Sequence, residues 1–118
     1  MTTSTVIRNA AILQGRDLRL VERTDLSLEG GRVAAIGRSA APAGAEVVDG
    51  AGSLLVPGFV DAHVHIGFAD PGEVLRRGVT TVRDLGWPPP DVFPLARAST
   101  ASSFHGPLIL AAGPILTA

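Results

Sequence analysis

His63 and His65 stand one residue apart at the end of an apolar run, Phe59-Val60-Asp61-Ala62-His63-Val64-His65, which is entered through Val56-Pro57-Gly58. Successive side chains of a strand alternate between its two faces, so both imidazoles are expected on one face, roughly 6 to 7 Å apart. At that spacing both can lean toward a single cation. Two ligands do not complete a site, because a catalytic zinc usually takes three protein ligands and keeps a fourth position for water. Asp61 is expected on the same face, deeper in the strand. It reads either as an acceptor that orients an imidazole N–H or as a buried carboxylate bonded to backbone. His105 is the third histidine. It precedes a strand where the pair ends one, which separates them by roughly 20 Å, so it reads as an exposed loop residue.

The elements around the pair divide the chain in two. Residues 1–56 carry short apolar runs and tight turns: Thr5–Arg8, Ala10–Leu13, Leu18–Glu22, Thr24–Leu28, Arg32–Gly37 and Glu46–Asp49. Glu29-Gly30-Gly31 is the clearest hairpin, since adjacent glycines supply the positive φ angles a tight turn needs. A loop is expected over Ser39–Ala45, and the whole region reads as a small all-β module. From residue 57 onward strands alternate with helical pieces: strand Phe59–His65, helix Pro71–Arg77, strand Val79–Asp84, a proline-rich turn at Trp87–Pro90, helix Asp91 to about Thr100, and strand Pro107–Ala112. Such alternation implies a parallel sheet with right-handed crossovers, so the fold class is α/β.

Composition narrows the chemistry. The 118 residues are 46% hydrophobic with a net charge of −1, which fits a globular chain. With no cysteine, His and carboxylates are the plausible ligands, and a cytoplasmic location is expected. The N-terminus shows no secretory pattern, and Leu108–Leu116, broken by Gly113-Pro114, is too short for the roughly 20 residues of a membrane span. All ten basic residues are arginines, scattered among eleven acids with little aromatic content, which argues against a nucleic-acid partner. Without lysine, neither a Schiff-base nucleophile nor a modified bridging lysine can come from these residues. Gly58, Gly78 and Gly86 read as backbone punctuation, since no Gly-x-Gly-x-x-Gly follows a strand.

In order along the chain, Glu29–Gly37, Val47–Gly52, Leu55–His65 and Gly78–Gly86 resemble the metal-dependent amidohydrolase superfamily, and within it the imidazolonepropionase and prolidase-like group. The string Pro-Gly-Phe-Val-Asp-x-His-x-His carries most of that resemblance. It implies a β-sandwich portion in residues 1–56 and, in residues 57–118, the first three βα units of an incomplete (β/α)8 barrel, a fold of about 250 residues. His63 and His65 are then metal ligands, for one or two divalent ions, zinc foremost, with iron, manganese or nickel as alternatives. Asp84 ends the second barrel strand, where it either reaches substrate or caps the following turn. The resemblance also implies hydrolysis of carbon–nitrogen bonds in small amides, with the remaining ligands and the general base outside these residues. No catalytic residue is therefore assigned within them, and the isolated chain is expected to be inactive. The alternative is a non-catalytic piece, or one half of a split barrel that needs the remainder in trans.

Overall fold

The structure is a computed structural model that describes residues 4–38 and 41–117. Two compact units meet in sequence at Pro57 and Gly58. The start of the loop expected at Ser39 lies outside the described residues, as does Met1–Thr3 of the N-terminal stretch.

The first unit is one five-stranded sheet. It contains β1 (Ser4–Gln14), β2 (Arg19–Glu29), β3 (Arg32–Ile36), β4 (Glu46–Asp49) and β5 (Leu54–Leu55), in the order β3-β2-β1-β4, with β5 also on β1. β1 pairs antiparallel with β2 and parallel with β4 and β5. The two brief runs expected at Thr5–Arg8 and Ala10–Leu13 are a single strand, and so are Leu18–Glu22 and Thr24–Leu28. Each strand is interrupted where one residue turns to positive φ, Asn9 at 59° and Arg23 at 50°. These two irregularities compensate, because the register shifts between Ile7↔Leu26 and Ala10↔Thr24 and shifts back before Ile12↔Val21, with equal lengths on both strands. The Asn9 N–H, lost from the ladder, donates to Asp25 Oδ1 at 3.1 Å. The β2–β3 hairpin turns as expected, with Gly30 at φ 56° and Gly31 at φ 74°. Val6, Ala10 and Ile12 of β1 are buried. The second layer that a sandwich requires is absent among the described residues.

The second unit alternates strand and helix. It runs β6 (Phe59–Val64), a 3-10 turn (Ile66–Phe68), α1 (Pro71–Arg76), β7 (Val79–Asp84), α2 (Pro89–Ala98) and β8 (Leu108–Ala111). The three strands form a parallel sheet in sequence order, β6-β7-β8. Val82 and Ile109 lie on the packed face with Ile66 and Val92, and Val74, Leu95 and Phe104 close over them. Helix α2 begins two residues before the expected Asp91. Pro89 and Pro90 occupy its first turn, where the missing N–H groups would have no intrahelical partner anyway. Among the described residues, no helix is long and apolar enough to cross a membrane.

Candidate functional site

The site starts from an irregularity in β6. Asp61 pairs across from Val82, but the next registered pair is Val64 with Asp84, so β6 takes three steps where β7 takes two. The extra residue at Ala62–His63 is a bulge, which reverses the face alternation. Registered partners in a parallel pair share a face, so Asp61 and Val64 lie with Val82 and Asp84 on the helix-packed side. His63 falls within the bulge, and His65 lies beyond the last strand residue, where alternation no longer fixes its side. The expectation of unbroken alternation from Asp61 to His65 is thereby corrected. Asp61 Oδ1 accepts the backbone N–H of His63 at 3.1 Å, a bond to the main chain rather than to an imidazole. Asp61 also lines a cavity of about 220 Å³ together with Val64, His65, Val74 and Arg77.

His63 and His65 themselves come together. Their ring centroids are 5.6 Å apart with planes at 78°, His63 exposed and His65 half-buried. β6 ends at Val64, one residue earlier than expected, and His65 with φ −121° and ψ 85° leads into the 3-10 turn. An aromatic series continues from it: His65 to Phe68 at 6.2 Å, then Phe68 to Trp87 at 4.9 Å, both edge to face. The Trp87 ring lies so close over Gly67 that a Cβ there would collide with it. Sequence reasoning placed Trp87 only in a proline-rich turn and gave Phe68 no role. The available signal was a bare glycine, Gly67, beside an aromatic residue near the histidines.

Asp84 is fully buried. Its Oδ2 accepts the Ile66 N–H at 2.7 Å, and its Oδ1 accepts the N–H groups of Gly86 at 3.1 Å and Trp87 at 3.0 Å. Of its two expected roles, the cap of the following turn is the one these bonds describe. The same carboxylate also reaches the turn after β6. His105 sits exposed in the segment before β8, apart from the pair.

Two imidazoles at 5.6 Å fit as part of a divalent-cation site. Among the described residues, no three His, Cys, Asp or Glu side chains group to hold an ion, so the pair is not a whole site.

The second unit is thus a parallel α/β arrangement whose leading strand runs into two neighbouring imidazoles. Comparison with known proteins makes the relation specific. No family model matches the chain. An imidazolonepropionase from Thermoplasma acidophilum is 47% identical over 53 residues, which is 45% of this chain and 13% of that protein. An allantoinase from Escherichia coli is 36% identical over 81 residues, 69% of this chain and 17% of that protein. The crystal structure of a provisionally assigned prolidase from Bifidobacterium longum superposes with a TM-score of 0.84 at 26% identity, covering 96% of this chain and 31% of that one. The chain thus spans less than a fifth of these curated relatives and under a third of the solved structure. Over the part it spans, it is homologous to members of the amidohydrolase superfamily.

Proposed function

We propose that these residues supply the first part of a metal-dependent hydrolase of carbon–nitrogen bonds, with His63 and His65 as two of its metal ligands. The observation that carries this reading is the imidazole pair at the end of β6, held at 5.6 Å in a chain homologous to amidohydrolases. Zinc is the ion we favour, and when bound a divalent ion acidifies a water and polarises the substrate carbonyl. The chain's own contribution is to present two imidazoles from one strand end and to fix the turns on either side of them. Residues 1–56 then form part of a β-sandwich, and residues 57–118 the first three strands of a (β/α)8 barrel. The partial coverage of the relatives and the parallel order β6-β7-β8 support that division. The relatives' names, imidazolonepropionase, allantoinase and prolidase, support small cyclic amides, dipeptides or related N-acyl compounds as substrates. A cysteine-free sequence supports a cytoplasmic location.

With two ligands and no assigned general base, the 118-residue chain alone is inactive, and activity requires polypeptide that completes the site, in cis or in trans. Purified chain should retain zinc weakly in equilibrium dialysis and hydrolyse neither a cyclic amide nor an Xaa-Pro dipeptide. Zinc retention equal to wild type in a His63→Ala/His65→Ala double variant removes the ligand assignment. Metal-dependent turnover that disappears in His63→Ala shows instead that the chain is a complete catalyst.

A further inference from the structure

We propose that Asp84 is a positioning residue for His65, holding the imidazole in place from the neighbouring strand. Ile66, whose N–H meets Asp84 Oδ2 at 2.7 Å, directly follows His65 in the chain. The other oxygen is occupied by Gly86 and Trp87, at 3.1 and 3.0 Å. One carboxylate therefore joins the turn after β6 to the turn after β7, at a point with no solvent exposure. Trp87, fixed by that bond, packs edge to face on Phe68, and Phe68 packs on His65. The backbone of His65 is thus held through Ile66, and its ring lies against Gly86, whose N–H Asp84 also holds, and beside the largely exposed Phe68.

The geometry requires a side chain with two accepting oxygens. Three N–H donors approach from two directions, and both oxygens must accept. Asparagine keeps the size but has one accepting atom; its NH2 would face a second donor, so one of the two turns loses its anchor. The functional meaning of this restraint rests on the reading of His65 as a metal ligand. Its structural content does not depend on a metal.

The test uses the full 118-residue chain labelled for NMR. In Asp84→Asn the ring protons of His65 should lose the ring-current shift that Phe68 imposes, while the ring of His105 and the methyls of Val82 and Ile109 stay in place. Exchange of the Ile66 amide should rise tenfold or more, and zinc, added as the free ion, should bind about 10- to 100-fold more weakly than to wild type. A folded Asp84→Asn chain with an unmoved His65 ring overturns the proposal. If that variant does not fold, wild-type exchange decides. The amides of Ile66, Gly86 and Trp87 must open together, because one group holds all three, and independent opening of Ile66 overturns it equally. Wild-type rings of His63 and His65 that ignore zinc sink the metal reading alone, while the metal-free response of His65 still decides the role of Asp84.

Discussion

At the scale of single residues, the His-x-His spacing was legible because it depends only on strand periodicity near the end of β6, and the pairing of the rings survives the local bulge. The bulge after Asp61 was not legible. An inserted residue at Ala62–His63 reverses the alternation, and nothing in the residue types of that run announces it. Asp84 was ambiguous for a different reason: a carboxylate at a strand end can turn outward or accept backbone donors, and only the positions of Ile66, Gly86 and Trp87 decide between them. Gly67 yields a prediction at this scale. Its hydrogen leaves the space that the Trp87 ring occupies, so Gly67→Ala must displace the indole and, with it, Phe68. The expected cost is about 1–3 kcal/mol, the usual penalty of overpacking, read as a lower denaturant midpoint with an unchanged slope. An unchanged midpoint would show that Trp87 does not rest on the Gly67 backbone.

At the scale of elements, the strand and helix order of the second unit followed from periodicity and punctuation, and boundaries moved by only one or two residues. Helix α1 is six residues long, too short to persist on its own propensity. Its start is stabilised by Asp70, whose Oδ1 accepts the Glu73 N–H at 2.9 Å, with Pro71 in the first turn. Asp70→Ala should therefore cost about 1 kcal/mol, seen in thermal or denaturant unfolding, whereas Asp70→Ser or Asp70→Asn should recover most of it. Equal losses in all three variants would mean that the cap is not the source. In the first unit, sequence reading divided β1 and β2 into four short strands. Asn9 and Arg23 each break the local pattern, but the compensating shift that restores pairing beyond them is a property of two strands together, so neither run shows it alone.

At the scale of the whole molecule, the parallel sheet buries one face under its helices and leaves Val60, Leu108 and Leu110 exposed on the other, at 69%, 40% and 52%. Apolar positions of this kind favour self-association when they cluster. Leu110→Glu should therefore shift sedimentation toward the monomer at concentrations where the wild-type chain associates, and identical profiles for the two would count against a role for this face. The α/β class and the two-part division were visible from the change in pattern near Pro57-Gly58, but a single sheet in the first unit was not, since short strands suit one layer as well as two. The aromatic series beside the histidines has a practical corollary. Trp87 is the chain's sole indole, and Phe68 packs on both it and His65, so its emission is a native optical gauge of what the imidazoles hold. Cupric ion, a paramagnetic quencher, should dim that fluorescence in wild type and leave it bright in His63→Ala/His65→Ala, while diamagnetic zinc competes the dimming away.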